Sequence, residues 1–241
     1  MLKFMHRYCS RLKHGLVVLV YGILYFMCFT YIEGRDVASY HIIHTVFDDM
    51  IPFCEFFVIP YLLWFFYMFF AVAYFILFGS SKKEYYHLVL NLMMGMTLFL
   101  VVSYFYPNMQ QLRPTVFPRE NWFTHVVRDY VYKMDTPTNI LPSIHVFNSL
   151  AIHMSMVNSR KLKDHKIICR CSLILTILII LSTMFLKQHS VIDVFLGMTL
   201  ALFGYLIFYP LPSTETEKDG FAVTGSSLRR KKHYRKRTDN L

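Results

Sequence analysis

The chain has 241 residues, of which 55% are hydrophobic and 17% aromatic, and its formal net charge is +10 at pH 7. Soluble globular domains are about 45–50% apolar, so this composition excludes an ordinary soluble fold. The positive charge does not indicate nucleic acid binding, because the basic residues are concentrated at the ends of apolar runs, where they predict membrane topology.

Six apolar runs are long enough to cross a bilayer, because about 20 residues of α-helix span its hydrocarbon core. In chain order they cover residues 15–32, 52–79, 86–106, 141–158, 167–186 and 190–210. The pattern predicts an all-α polytopic membrane protein with six transmembrane helices. It divides the chain into a basic N-terminus at 1–14, a membrane domain at 15–211 and a basic, disordered tail at 212–241.

Basic residues mark one side of the predicted membrane domain. They precede the first span, lie between spans two and three and between spans four and five, and recur as RRKKHYRKR at 229–237. If the spans alternate in direction, these clusters share one side, and the positive-inside rule makes that side cytoplasmic. Both termini are therefore expected in the cytoplasm. Compact spans and short loops favour a bacterial plasma membrane.

Three polar segments are expected to meet at the opposite, extracytoplasmic face. QQLRP at 110–114 follows span three, NILPSIHVF at 139–147 enters span four, and STMFLKQHSVID at 182–193 connects spans five and six. Ionisable groups at membrane depth are costly and usually mark a functional site. We therefore expect the site of this protein where the three segments converge.

The third segment carries His189 and Asp193, four residues apart. If the sixth helix begins near Lys187, they share a helix face, and the carboxylate can fix the imidazole tautomer and leave the other nitrogen free as a nucleophile. The helix N-terminus, together with Lys187, would favour a bound phosphate. The alternative is that the pair only makes the burial of two polar groups tolerable.

The other two segments add groups suited to an anion. Pro142 fits the first turn of a helix, Ser143 can cap that helix or donate to an anion, and His145 follows in the same turn. Arg113 offers a fork of donors for phosphate oxygens. Together these groups favour phosphoryl transfer without a metal or cofactor, in which one imidazole attacks and the other acts as an acid. The neighbouring DTPTNILPS, 135–143, could border a headgroup pocket or form a plain loop.

These residues resemble the signatures of the type-2 phosphatidic acid phosphatase superfamily, which are K-x6-R-P, P-S-G-H and S-R-x5-H-x3-D. The resemblance covers residues 86–210 through Arg113-Pro114, PSIH at 142–145, and Ser182, His189 and Asp193 in register. It implies that His189 forms a phosphohistidine, Asp193 orients it and His145 protonates the leaving group. It also implies that Arg113, Ser143 and Ser182 hold phosphate oxygens.

The chain departs from these signatures at three positions. Tyr106 stands at the position of the Lys, Thr183 at that of the second Arg, and Ile144 at that of the Gly, although the Ile144 backbone N–H remains available. Lys187 is a candidate replacement for one of the missing cations. Relaxed signatures of this kind are similar to those of inositol phosphorylceramide synthases and sphingomyelin synthases.

The resemblance implies a lipid phosphatase that hydrolyses a phosphomonoester or diphosphate of phosphatidic acid or polyprenyl diphosphate type. The alternatives are headgroup transfer between lipids, or a non-enzymatic lipid-binding or transport protein on the same scaffold. The expected partners are a phospholipid or polyprenyl phosphate substrate and the surrounding membrane lipids. The sequence carries no signal for an oligomeric state.

A second polar cluster lies in the first outer loop. His44 and Asp48 have the i, i+4 spacing of helical metal ligands. We favour a short amphipathic segment at the membrane interface over a metal site there.

Overall fold

The computed structural model describes residues 2–209, with side chains described from Lys13 onward. The predicted tail at 212–241 lies outside the described residues. The described part is mostly helical, and a short 3-10 turn at Glu55–Phe57 precedes the third helix, while a π-helical turn at Val127–Val131 joins the fifth helix to the sixth. The helices are α1 Leu2–Gly34, α2 Val46–Met50, α3 Val58–Leu77, α4 Lys82–Phe105, α5 Trp122–Val126, α6 Tyr132–Met134, α7 Ile144–Asn158, α8 Lys166–Phe185 and α9 Val191–Phe208.

Five helical segments of the described chain are long and apolar enough to cross a membrane. They are Lys13–Gly34, Glu55–Leu77, Lys82–Phe105, Lys166–Phe185 and Val191–Phe208. These segments coincide with five of the six predicted spans. The remaining predicted span corresponds to α7, whose 15 residues give a length of about 22 Å at about 1.5 Å per residue, below the roughly 30 Å of a hydrocarbon core.

Helix α1 begins at Leu2, so residues 2–14 of the predicted basic N-terminal segment are helical.

Helix α7 lies at the centre of the bundle and packs against α3, α4, α8 and α9. Its side chains Phe147, Ala151 and Ile152 are fully buried in the main hydrophobic core. The ring of Phe147 packs directly on Gly95 of α4, where a Cβ atom would lie 2.0 Å from the ring. Because its neighbours surround it, α7 can carry buried polar residues such as Asn148 and Ser149.

The helices alternate in direction, as contacts at the two ends of the bundle show. At one end, Arg35 after α1 donates to the carbonyl oxygens of Ser103 and Tyr104 in α4, and the N–H of Cys54 before α3 donates to the carbonyl oxygen of Phe185 in α8. At the other end, His14 of α1 contacts Tyr86 of α4, and Lys161 between α7 and α8 donates to the carbonyl oxygen of Phe78 after α3. The polar segments before α7 and α9 therefore share the first end.

A short parallel ladder ties the loops together at that first end. Strand β1, His41–Ile42, pairs with strand β2, Asn108–Met109, with His41 opposite Asn108. The Asn108 side-chain oxygen accepts hydrogen bonds from the backbone N–H groups of Ile140 and Leu141, at 2.8 and 3.1 Å. The ladder and this amide therefore join the first loop to the segment that leads into α7.

Candidate active site

The three polar segments meet at one end of the bundle through direct hydrogen bonds. Gln110 donates through Nε2 to the carbonyl oxygen of Lys187 at 2.9 Å, and Arg113 donates to Oε1 of Gln188 at 2.6 Å. The backbone N–H of Ser143 donates to the carbonyl oxygen of Asp193 at 3.2 Å. The convergence predicted from the alternation of the spans is confirmed by these contacts.

His189 and Asp193 are in contact, but not because they share a face of one helix. Nδ1 of His189 lies 3.3 Å from Oδ2 of Asp193, a long hydrogen bond, and Asp193 is fully buried. The prediction that both share a helix face is wrong, because α9 begins only at Val191 and Ser190 is its N-cap. Asp193 instead folds back in a capping box, accepting from the Ser190 N–H at 2.9 Å. No described residue bonds Nε2 of His189, which is therefore free to act as a nucleophile.

The start of α9, which was expected to favour a bound phosphate, is occupied instead by the side chain of Asp48. Its carboxylate accepts from Oγ of Ser190 at 2.7 Å, from the N–H of Val191 at 2.8 Å and from the N–H of Thr45 at 2.7 Å. Burial alone would raise the pKa of the Asp48 carboxyl, but these hydrogen bonds outweigh it and hold the pKa below its usual range. Asp48 therefore neutralises the positive end of the α9 dipole.

Lys187 is directed toward the same loop. Its ammonium donates to the carbonyl oxygen of Asp48 at 2.5 Å, and its backbone adopts a left-handed conformation with φ of 54°. Burial lowers the pKa of Lys187, and the charges of Asp48 and Asp49 partly offset that effect. The predicted role of Lys187 as a phosphate ligand stays a prediction, and the contact in the structure is with the first outer loop.

His145 stands in the first turn of α7 and faces His189. The centroids of the two rings are 5.7 Å apart, a separation that allows both imidazoles to contact one phosphoryl group. Two aromatic rings of α3 enclose His145, with Tyr61 stacked at 4.7 Å and Trp64 at 4.3 Å. Both His145 nitrogens are buried and make no hydrogen bond within the described chain. Its orientation is therefore set by aromatic packing.

The start of α7 offers the donors that α9 lacks. The first N–H groups of a helix have no intrahelical acceptor and carry partial positive charge. Ser143 is the N-cap residue, and its hydroxyl is fully buried without a partner among the described residues. Leaving a buried polar group unpaired costs about 1–3 kcal/mol. Ser143, the N–H of Ile144 and His145 therefore form a cluster suited to an anion, at the positions that the sequence predicted.

Arg113 reaches the site through Gln188. Its guanidinium donates to the carbonyl oxygens of Tyr132, at 3.0 Å, and of Asp135, as well as to Gln188, and it lies over the Tyr132 ring at 4.3 Å. Burial lowers the pKa of Arg113, and the charge of Asp135 partly counteracts that effect. Most of its donors are thus already bound to protein oxygens, while Nε is buried and finds no protein acceptor in the described chain.

Ser182 and Thr183 shape the turn before His189. The Ser182 hydroxyl donates to the carbonyl oxygen of Ile179 at 2.6 Å, so its proton is engaged within α8. The carbonyl oxygen of Thr183 accepts the N–H groups of Gln188 and His189, at 2.9 and 3.0 Å. The predicted phosphate contact of Ser182 stays a prediction. In the structure, the contacts of both residues hold His189 in place.

A cavity of about 260 Å³ opens beside His145. Its polar end carries Asp135, whose carboxylate accepts a hydrogen bond from the Tyr61 hydroxyl. Most of the remaining lining is apolar, including Phe26, Phe29, Leu62, Phe65, Met134 and Ile144. Asp135 is the first residue of DTPTNILPS, so this segment does border a pocket next to the site.

The residues that sequence reasoning missed carry no motif. Tyr61 and Trp64 are two aromatic residues in an apolar span, where such residues commonly mark the membrane interface. Asp48 and Gln188 gave no spacing signal that links them to the site. Their roles depend on tertiary contacts between distant segments, which no local pattern records.

The possible metal site in the first loop is not formed by the described residues. His44 contacts Asp49 at 2.9 Å, while Asp48 points to α9. Helix α2 exposes Val46, Phe47 and Met50, which fits the favoured amphipathic segment.

The described chain combines several apolar helices of membrane-spanning length, which indicate an integral membrane protein, with a buried pair of imidazoles next to the start of α7. Residues 86–217 match the sequence model of the PAP2 superfamily, and the chain belongs to this superfamily. Superfamily members are generally phosphoester hydrolases or transferases, which supports a phosphatase-type lipid phosphoesterase. Comparisons with curated proteins and with solved structures gave no significant match.

Proposed function

We propose that the protein cleaves a phosphoester of a membrane lipid through a phosphohistidine at His189. The observation that carries this proposal is the pair of imidazoles at 5.7 Å, with Nδ1 of His189 held by Asp193 and Nε2 not hydrogen-bonded to any described residue. Ser143, the N–H of Ile144 and the Arg113–Gln188 pair would hold the phosphate oxygens. Ser182 and Lys187 are further candidates for binding the phosphate oxygens.

The chemistry follows from these positions. Nε2 of His189 attacks phosphorus, the bond from phosphorus to the leaving oxygen breaks, and His145 gives its proton to that oxygen. In the second step an acceptor hydroxyl gives its proton back to His145 and attacks the phosphohistidine, which regenerates free His189. Asp193 keeps the proton of His189 on Nδ1 and stabilises the positive charge on the ring.

The leading candidate reaction is hydrolysis, with water as the acceptor and a phosphatidic acid or polyprenyl diphosphate as the substrate. The cavity beside His145 would hold the apolar body of such a lipid near the leaving oxygen. Headgroup transfer to a lipid alcohol is a second candidate. It is favoured by the apolar lining of this cavity, which suits a lipid alcohol better than water as the acceptor.

We further propose six membrane spans, with α7 as the fourth, both termini in the cytoplasm and the site at the extracytoplasmic face of a bacterial plasma membrane. The alternating helix directions and the basic clusters support this arrangement.

The proposal is tested with the purified full chain and labelled lipid, by acid quench and detection of an acid-labile phosphoenzyme. His189→Ala removes the nucleophile, so both turnover and the labelled intermediate should disappear. His44→Ala changes an exposed histidine at the same end of the bundle and serves as the matched control. Turnover that survives in His189→Ala would contradict the mechanism.

A further inference from the structure

We infer that Asp135 is the counter-charge that stabilises the protonated form of His145, the proposed general acid. This inference rests on the proposed phosphoester cleavage and assigns one more residue to its first step. Asp135 acts through His145 and not on the reacting atoms, so it is a positioning residue.

The first argument is the enclosure of His145. As the general acid, this side chain must carry a positive charge until the leaving oxygen takes its proton. His145 is 5% exposed, and neither of its ring nitrogens has a hydrogen-bond partner in the described chain. Because a buried charge is costly unless an opposite charge accompanies it, the fold must supply a group that favours the imidazolium.

The second argument is the position of the carboxylates around the site. Asp135 and His145 line the same cavity of about 260 Å³. Among the described residues, two charges act on His145: that of Asp135, which attracts an imidazolium, and that of His189, which repels one when its own ring is protonated. The other two carboxylates are engaged elsewhere, Asp193 at His189 and Asp48 at the start of α9. Asp135 is therefore the available counter-charge.

The third argument is that Tyr61 joins the carboxylate to the imidazole. Its hydroxyl donates to the Asp135 carboxylate, and its ring stacks on His145 with the centroids 4.7 Å apart. The ring of Trp64 lies 4.3 Å from that of His145. An aromatic face attracts a cation within about 6 Å of its centroid, so both rings suit a charged His145. They also exclude water, which would weaken the attraction between Asp135 and His145.

The fourth argument is that the charge of Asp135 is not consumed by an ion pair with a described side chain. Its carboxylate accepts from the Tyr61 hydroxyl, a phenol that is neutral near pH 7. Tyr25 of α1 lines the cavity as a second neutral phenol. Arg113 donates to the backbone carbonyl oxygen of Asp135 and to Gln188, so its guanidinium is bound to neutral oxygens. The carboxylate can therefore act on His145.

The first test is the pH dependence of kcat/KM for phosphatidic acid, measured on the purified full chain and on Asp135→Asn. The reaction up to the phosphohistidine needs His145 protonated and His189 neutral. Without its counter-charge, the imidazolium of His145 loses its proton at lower pH. The loss of kcat/KM should therefore grow with pH, from none on the acidic limb, where both histidines are protonated, to roughly tenfold on the alkaline limb, equivalent to about 1.4 kcal/mol.

Two further variants are the controls for this measurement. Asp135→Glu keeps the negative charge and should restore most of the lost activity at alkaline pH. Asp129→Asn removes a carboxylate that is 41% exposed on the same segment, and it should leave the pH profile unchanged. A loss by the same factor at every pH, or no loss in Asp135→Asn, would overturn the inference.

The second test changes the leaving group. 4-Nitrophenyl phosphate releases a nitrophenolate that departs without a proton, so its cleavage does not need the general acid. Asp135→Asn should therefore lower the ratio of kcat/KM for phosphatidic acid to that for 4-nitrophenyl phosphate at alkaline pH. This ratio does not depend on the fraction of folded protein, so an unchanged ratio would overturn the inference and leave the proposed cleavage intact. Turnover that survives in His189→Ala would instead overturn the proposed cleavage and the inference with it.

Discussion

At the scale of single residues, the signatures located His145, His189 and Asp193 correctly in one place, because the family pattern fixes their order and spacing. What the sequence did not indicate is how these side chains are supported. His145 is held by two rings of α3, and the turn that carries His189 is held by a carboxylate of the first loop. Such contacts join residues more than 80 positions apart, where no periodic pattern reaches.

Asp48 leads to a prediction about stability and pH. Its folded pKa lies below the usual value, so its hydrogen bonds stabilise the fold above the usual carboxyl pKa of about 4, and this stability is lost as the pH falls through the folded pKa. Asp48→Asn should therefore lower the melting temperature at pH 7 and flatten its dependence on pH below about 4. The melting temperatures of both proteins in detergent, measured from roughly pH 3 to roughly pH 7, give both effects.

Asp49→Asn is the control, since the Asp49 carboxylate is exposed and contacts only His44 among the described side chains. A loss of stability in Asp49→Asn as large as that in Asp48→Asn would show that the general charge of the loop, and not its contact with α9, stabilises the fold.

At the scale of elements, hydropathy correctly located five helices long and apolar enough to cross a membrane, because a long apolar run has few alternatives to such a helix. The ends of the helices were less accurate. The predicted fourth span begins at residue 141 but α7 begins at Ile144, because Pro142-Ser143 forms a non-helical entry, and a helix start near Lys187 was wrong because His189-Ser190 precedes α9. Strands β1 and β2 have two residues each, which is too short for an alternating hydrophobic pattern to reveal them.

The packing of α7 on α4 gives a prediction for a single methyl group. In Gly95→Ala the new Cβ would lie 2.0 Å from the Phe147 ring, so α7 must shift, and overpacking of this kind costs about 1–3 kcal/mol. Because α7 carries Ser143 and His145, turnover should fall together with the melting temperature.

Gly22→Ala in α1 is the matched change, since nothing lies within 4 Å of its added Cβ. It should leave both quantities unchanged or raise stability slightly through helix propensity. Equal losses in the two variants would mean that helix flexibility, and not the fit of Phe147, is what Gly95 provides.

At the scale of the whole molecule, the charge pattern predicts that the loops at the site end are extracytoplasmic. A cysteine introduced at the exposed Gln111 into a cysteine-free background should react with a membrane-impermeant maleimide in intact cells, whereas one at the exposed Lys163 should react only after permeabilisation. Turnover of the cysteine-free chain is the control for folding. The reverse labelling pattern would place the site in the cytoplasm and overturn the proposed orientation.

The aromatic enclosure of His145 has a consequence for how this protein can diverge. The superfamily match begins at residue 86, yet Tyr61, Trp64 and Asp48 precede it. The matched segment is therefore not a unit that could be transplanted on its own, because the proposed general acid His145 and the turn that carries His189 pack against residues outside the match. Substitutions in the two parts must therefore compensate one another. A hybrid in which another member's sequence replaces residues 86–217 would carry the reacting groups without the side chains that hold them in place.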